Sequence, residues 1–419
     1  MRGLLMRAHY LPEPGKDQHL PCLQFLPIAA LKLAKGYWKQ LSKGSKPGSP
    51  CQRQWAPISV TKDRCPGMAP GTGYWGDPTP MDVSPVGQLP PPGGSLYSGS
   101  TVPLAEKALI SRIRRSAVRR GGVATGIGDD CAVLRIPSGH EVLVTTDFTI
   151  EDVHFRRDWH KPEVVGLRCL TRGLSDIAAM GAEPVAVFLS LALPRKLSQS
   201  WVNQFMKGLL GLARMFKVTL AGGDTSESPH GVLADIVVVG FVPKGKAVLR
   251  SGAKPGDRIY VTGKLGGASA ALAELMAGKR VLPKDFPRHF HPVPRIKVGR
   301  FLRERGLASA MIDLSDGLST DLGHICEESG VGAEIREAAI PRAVFGKKDT
   351  AVSLNHALHG GDDYELLFTA RRGKRVPNRI AGVPVTLIGH ITRRQRVILM
   401  SQNGVGSDLR PHGWQHFRH

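Results

Sequence analysis

The sequence predicts a mixed α/β (α+β) protein, two α/β regions preceded by an extension that cannot build a core. Three observations predict it. From residue 104 onward, short apolar runs of strand length alternate with amphipathic stretches of helix length, the pattern of layered α/β folds. Before residue 103, Pro, Gly and Ser cluster at Ser45–Pro50, Pro66–Gly76 and Pro85–Ser100. Between the two regions, Pro243–Asp257 is rich in Gly, Pro and Lys, the composition of a junction. The division is therefore 1–103, 104–245 and 246–419.

Each element follows in order. Residues 1–103 bury too little apolar surface to offset ordering entropy and read as a disordered extension. One amphipathic piece, Leu23–Trp38, is a helix candidate, and Met68 and Met81 offer alternative starts. Ala105–Arg119 reads as a basic amphipathic helix. Cys131–Ile136 and Glu141–Thr146 read as strands around a Pro-Ser-Gly turn. Lys161–Met180 is helical by periodicity, Val185–Leu193 is an apolar strand, and Trp201–Phe216 is a helix leading into a short strand, Val218–Ala221. Ala234–Val242 is a further strand. Past the junction come strand Arg258–Thr262, helices Ala268–Met276 and Pro294–Glu304, and strand Ala310–Asp313. Helix Ser319–Ser329, a strand near Ala333 and the apolar patches Glu365–Thr369 and Val385–Ile388 complete the pattern.

Composition narrows the function classes. No stretch approaches the roughly 20 apolar residues of a membrane helix, and the charged, proline-containing N-terminus is no signal peptide. Six cysteines stand apart without a CxxC pair, which indicates neither a zinc site nor a disulfide framework and fits a reducing cytoplasm. The net charge of +22 suits anionic partners. Residues 1–100 hold only 11 Lys/Arg against 5 Asp/Glu, so most of the excess lies later, dispersed and without aromatic interleaving or a nucleic-acid motif. A solvated basic surface accounts for it.

The chemistry is carried by Gly/Asp/Ser/Thr segments read as strand ends: Gly126–Asp130, Thr145–Asp147, Leu174–Asp176, Gly222–Thr225, Asp313–Gly317 and Gly360–Tyr364. Asp is a hard oxygen ligand suited to Mg²⁺, and neighbouring glycines let backbone N–H groups approach phosphate. A single such pair is usually a turn or helix cap. Six together, several with paired carboxylates, point to a polynuclear magnesium–phosphate site, since gathered carboxylates repel unless cations lie between them. There is no GxxxxGK[ST] loop and no HRD or DFG set. Val261–Ser269 follows a strand and opens a helix, but it lacks GxGxxG spacing and reads as a tight glycine turn.

Taken in order, these segments resemble the thiamine-monophosphate kinase family. The resemblance rests on Gly126–Val133, Thr145–Asp147, Val153–Phe155, Leu174–Pro184 and Ala221–Thr225. It continues through Arg250–Asp257, Ile312–Leu318, Gly360–Leu367 and Gly413–Phe417, so it spans about residues 104–417. It implies the two-domain aminoimidazole ribonucleotide synthetase-like fold, with N-terminal-domain sheets pairing across a homodimer. It further implies a magnesium shell of Asp130, Thr145, Thr146, Asp147, Asp176, Asp224, Asp313 and Asp316. ATP would meet Gly223, Asp224, Arg250 and Ser315, and the thiamine phosphate would meet His154, Asp362 and Trp414. Arg250 suits a phosphate because its planar fork donates two bonds at once. No covalent nucleophile is implied; several Mg²⁺ ions would neutralise two polyanions during in-line transfer of the γ-phosphoryl group, giving thiamine diphosphate. The partners implied are ATP and thiamine monophosphate, with neither nucleic acid nor membrane.

Two positions depart from the family pattern. Asp362 stands where Glu is usual, one methylene longer, and Gly173 stands where Asn is usual. Two alternatives stay open on sequence: another ATP-dependent enzyme of the superfamily, acting on a purine precursor or selenide, and a basic non-catalytic nucleotide- or RNA-binding protein. No reactive Cys in a Gly-rich loop supports selenophosphate synthesis, and pure nucleic-acid binding would favour Lys/Arg over gathered Asp.

Overall fold

The computed structural model describes residues 105–345 and 350–413. The extension 1–103, with its helix candidate Leu23–Trp38, and Trp414 lie outside the described residues.

Helix α1 (Glu106–Ser116) leads into a two-stranded antiparallel pair, β1 (Val123–Thr125) and β2 (Val133–Leu134). The first large sheet follows: β3 (His140–Ile150), β4 (Glu183–Pro194), β5 (Thr219–Ser228) and β6 (Leu233–Pro243). Its spatial order is β3-β6-β4-β5, antiparallel except for the β4–β5 pair. Two helices, α2 (Pro162–Ala179) and α3 (Gln199–Met215), cover one face, where Leu170, Leu174, Ile177, Phe205, Leu209 and Ile236 are fully buried. The Ser198 side chain caps α3 by accepting the Trp201 N–H at 3.2 Å. The two helices touch through glycine. A Cβ on Gly166 would lie 1.9 Å from the Phe205 carbonyl oxygen, and one on Gly208 would lie 1.9 Å from that of Glu163.

A short 3₁₀ turn, Arg250–Gly252, opens the second region. Its sheet is built from β7 (Arg258–Thr262), β8 (Ala310–Asp313), β9 (Gly332–Arg336), β12 (Leu366–Ala370), β14 (Val383–Thr392), β15 (Val397–Met400) and β16 (Gly406–Asp408), with β13 (Arg379–Ile380) beside β14. Strands β10 (Val344–Phe345) and β11 (Thr350–Ala351) form a separate pair. The helices are α4 (Gly267–Met276), α5 (Pro287–Phe290), α6 (Ile296–Glu304), α7 (Leu318–Ser329) and α8 (Leu354–His359). Pairing in the large sheet is antiparallel except between β9 and β15. One face packs on α7 through Leu318, Leu322 and Ile325. The other continues the core of the first region, with Tyr260 and Phe368 stacked at 5.3 Å. Helix α2 touches both sheets.

Most expected elements form near their expected places. Four of the six Gly/Asp segments, however, are not strand ends. Gly360–Tyr364 follows α8. Thr145–Asp147 lies inside β3, Gly222–Thr225 lies inside β5, and Leu174–Asp176 lies inside α2. The strand expected over Cys131–Ile136 shrinks to Val133–Leu134, while Val218–Ala221 grows to Thr219–Ser228. Gly223 permits that growth: at φ +147° a side chain is disfavoured, and a Cβ would lie 1.9 Å from the Leu189 carbonyl oxygen of β4. Neither sheet closes into a barrel among the described residues. No described helix is long and apolar enough to cross a membrane.

Candidate active site

The acidic residues fall into two groups. The first forms where α2 meets both sheets. Thr145 on β3 donates its hydroxyl to Asp176 on α2. Ser175, one residue earlier on α2, donates to Asp313 Oδ2 at the end of β8, at 2.7 Å. Asp147, two residues beyond Thr145 on the same face of β3, pairs with Arg172 Nε at 3.0 Å. The N–H is not aligned on a partner oxygen, so charge rather than a directed hydrogen bond holds that pair. These carboxylates strain against one another. Burial, followed by repulsion from Asp176, pushes Asp313 up to about 7. Burial, with repulsion from Asp147, pushes Asp176 up to about 6 against the Thr145 hydroxyl. Asp147 is raised by burial and partly held down by Arg172. Arg250 favours the charged forms of both Asp176 and Asp313.

Next to this group, Asp316, Asp321 and His324 bring their ligand atoms within 4.8 Å of one another. Asp321 accepts the backbone N–H groups of Asp316 and Gly317, at 3.2 and 3.0 Å, across the start of α7. Burial, then Asp316 and Asp313, keeps its carboxyl well above the usual range.

The Gly360–Tyr364 loop closes another side. Asp362 takes a left-handed backbone conformation (φ +63°) and donates its N–H to the Ser315 carbonyl at 2.9 Å. Its side chain accepts from Arg168 at 2.7 Å and from the Tyr364 hydroxyl at 2.6 Å, with Arg172 Nη1 at 3.6 Å. Burial alone would raise this carboxyl, but Arg168 and Arg172 outweigh it and hold it at about 2. Behind Arg168, the buried His160 and His289 rings meet at 2.9 Å between their Nε2 atoms. Burial, reinforced by Arg168, lowers His160 to about 4. Asp363 faces away from this side, accepting the Gly266 N–H at 2.7 Å at the start of α4, and burial pushes it up to about 8.

The second group sits at the opposite edge of the first sheet. Gly223 and Asp224 lie on β5, and Gly126 packs beside it, so that a Cβ there would lie 3.4 Å from the Ala221 carbonyl oxygen. Asp224 accepts the N–H of Thr225 at 2.8 Å, and Asp129 accepts that of Asp130 at 3.0 Å. Register fixes the separation. Asp147 pairs with Ile236, which pairs with Leu189, which pairs with Gly223. Three strand spacings, up to about 14 Å, thus lie between Asp147 and Gly223.

Of the residues expected from sequence, the fold gathers Thr145, Asp147, Asp176, Asp313, Asp316 and Asp362, with Arg250 acting on them electrostatically and Ser315 fixing the Asp362 backbone. Gly223 and Asp224 form the other group, and Asp130 follows the Gly126 turn that packs against β5. Thr146 points elsewhere on β3, donating to Asp235 at 2.7 Å. His154 follows β3, and its Nδ1 accepts the Ile150 N–H at 3.0 Å, which leaves Nε2 as the protonated nitrogen. Sequence reasoning missed Arg168, Arg172, Ser175, Asp321 and Tyr364. A signal was present: Arg168, Arg172 and Asp176 recur every four residues on one face of a predicted helix. At Gly173 a Cβ would lie 2.5 Å from Val238 Cγ2, so this helix–sheet contact leaves no room for the Asn usual in the family.

Comparison with known proteins adds to this geometry. Residues 128–242 match the family of the AIR synthase related protein, N-terminal domain, and residues 254–401 match its C-terminal domain. The chain is 39% identical over 319 residues to the thiamine-monophosphate kinase of Salmonella typhimurium, covering 74% of this chain and 95% of that protein. The crystal structure of thiamine-monophosphate kinase from Stenotrophomonas maltophilia is similar at a TM-score of 0.62 and 36% identity, over 73% of this chain and 98% of that one. AaThiL complexed with AMPPCP and TMP is similar at a TM-score of 0.60 and 31% identity, over 75% of this chain and 97% of that one.

Proposed function

Because the chain belongs to the thiamine-monophosphate kinase family, we propose that it transfers the γ-phosphoryl group of ATP to thiamine monophosphate, giving thiamine diphosphate and ADP. The observation that carries this reading is the gathering of Asp147, Asp176 and Asp313 from β3, α2 and β8 into one acidic group, half-buried at Asp147 and Asp176 and buried at Asp313.

The donor set fits magnesium. Its atoms are hard oxygens, and the raised carboxyls of Asp176 and Asp313 mark a charge deficit that a divalent cation would relieve. We assign Thr145, Asp147, Asp176, Asp313 and Asp316 to hold it, with Asp130 and Asp224 as nucleotide-side ligands and Thr146, which lies on β3, as a further ligand. Bound magnesium would neutralise the two polyanions so that their reacting oxygens can meet. The protein's own groups do the rest. Arg250, Ser315 and Gly223 bind the nucleotide, His154 and Trp414 bind the acceptor, and Asp362 acts on the acceptor side. The acceptor phosphate is already ionised near neutral pH, so no side chain need act as a strong base. We take 104–245 and 246–419 as the two domains. We assign the reaction to the cytoplasm, in keeping with free thiols at Cys131, Cys169 and Cys326.

We also propose a homodimer. Among the described residues β3 pairs only with β6, and Val142, Val144 and Phe148 are exposed on it, Val144 at 66%. Apolar side chains on an open edge strand suit a second copy of the same sheet.

The test is Mg²⁺-dependent conversion of thiamine monophosphate by the full chain. Asp147→Asn and Asp224→Asn should each abolish most turnover while melting as folded proteins. Near-normal activity in both sinks the metal assignment, and a wild-type chain inert toward thiamine monophosphate sinks the substrate.

A further inference from the structure

Arg172 is a charged group that the reading above does not use. Its guanidinium lies between Asp147, at 3.0 Å from Nε, and the Asp362–Tyr364 pair, with Nη1 3.2 Å from the Tyr364 hydroxyl. The side chain is 15% exposed, between Asp147 at 24% and Asp362 at 33%, so the three stand in the wall of the site and not in the core.

We propose that Arg172 binds the phosphate of the acceptor, and that Asp362 is the positioning residue that holds it there. The inference rests on the kinase reading of this site. Three observations support it. First, Asp362 is spent: Arg168 and the Tyr364 hydroxyl occupy its two oxygens, and a carboxylate repels an anionic substrate. Second, the charges leave Arg172 in surplus. Arg168 is balanced by Asp362, and Arg172 is balanced by Asp147 only while Asp147 has no cation to ligate. Once that carboxylate serves a cation, the guanidinium beside it offers donors and an uncompensated charge to an anion. Third, the two departures from the family pattern belong to one arrangement. Position 173 faces Val238 with no room for a side chain, and the residue before it reaches toward the shortened acid at 362.

The experiment is titration calorimetry on the full chain with Mg²⁺ and no ATP, using thiamine monophosphate, thiamine and inorganic phosphate as probes. Steady-state kinetics accompany it. Loss of a charged hydrogen bond predicts that Arg172→Gln weakens thiamine monophosphate binding by about 10- to 100-fold. Thiamine binding and the KM for ATP should stay within about 3-fold, a shift under 0.7 kcal/mol. Arg172→Lys should restore part of the loss. Asp362→Asn should weaken monophosphate binding in the wild-type background and add little to Arg172→Gln, as coupled residues do. Unchanged monophosphate affinity in Arg172→Gln overturns the inference, and so does an equal loss for thiamine and its monophosphate. A wild-type chain that does not phosphorylate thiamine monophosphate, yet loses inorganic phosphate affinity in Arg172→Gln, overturns the kinase reading and retains this one.

Discussion

Asp313 is where stability and function should pull in opposite directions. Its side chain is 3% exposed at the end of β8, and burial with the Asp176 charge pushes its carboxyl from 3.8 to about 7. The folded protein therefore holds a proton that the unfolded chain releases above about pH 3.8. The stability tied to that proton is fully present below the unfolded value and is lost as pH rises through about 6 to 7. A shift of this size corresponds to roughly 4 kcal/mol. Asp176 shares the repulsion, so a single substitution should release about half of it, roughly 2 kcal/mol.

Asp313→Asn keeps the shape and still accepts the Ser175 hydroxyl, but removes the charge. Urea unfolding in EDTA across pH 5 to 8.5 is the assay, repeated with Mg²⁺. Measured against the Asn variant, in which the histidine contribution is shared and cancels, the wild-type chain should lose roughly 2 kcal/mol as the pH rises and recover it when Mg²⁺ is added. In EDTA at pH 8 the variant should be about 2 kcal/mol more stable than wild type, gain less from Mg²⁺, and turn over poorly. A stability difference between wild type and the Asn variant in EDTA that is the same at pH 8 as at pH 5 would refute the reasoning. So would an Asn variant that is the less stable of the two at pH 8.

Two further outcomes follow from packing and from the histidine pair. His160 and His289 are held neutral by burial and Arg168, with Asp362 beyond it; His160 is lowered to about 4, so its contribution is present above 6.5 and lost as pH falls toward 4. Relative to His160→Gln, the wild-type chain should lose up to about 3 kcal/mol on that limb in acid melts. Gly173→Asn, which restores the residue usual in the family, should cost about 1 to 3 kcal/mol in thermal unfolding, because its Cβ would lie 2.5 Å from Val238 Cγ2. A variant as stable as wild type shows that the α2–β6 contact yields.

The class of chemistry was legible because it depends on residue type and order. Repeated Asp beside Gly and Ser, arranged as in the family, points to hard-cation and phosphate chemistry whatever the backbone does locally. The local backbone was less legible, for identifiable reasons. Gly-Gly-Asp reads as a turn by propensity, yet β5 runs straight through Gly222–Thr225, since only glycine lets β5 approach Leu189 on β4. Ser175 and Asp176 group with the strand ends by residue type. They sit instead in the last turns of α2, the helix that periodicity over Lys161–Met180 expects, whose apolar residues are claimed by both sheets. Arg168 and Arg172 were legible in principle. Their four-residue spacing ahead of Asp176 was visible, but a stripe of charge on a helix ordinarily faces water. Here α2 touches both sheets, and that face is turned inward: Arg168 is 5% exposed.

What no pattern in the sequence could supply is the distance between the two acidic groups, because it depends on strand order. Thr145–Asp147 and Gly222–Thr225 look equivalent along the chain. The order β3-β6-β4-β5 puts them at opposite edges, and the pairing of Asp147 with Ile236, Leu189 and Gly223 sets them three strands apart. No single magnesium ion, with oxygen ligands at about 2 Å, can bridge that span. The separation therefore argues for several ions, or for ligands supplied by a second copy. These routes differ in an observable way. If one chain suffices, a charge introduced on β3 to break pairing, such as Val144→Asp, should give a monomer that keeps its turnover. If the edges of two copies complete one site, that monomer should lose turnover while melting as a folded protein, and sedimentation with kinetics on the same sample separates the two.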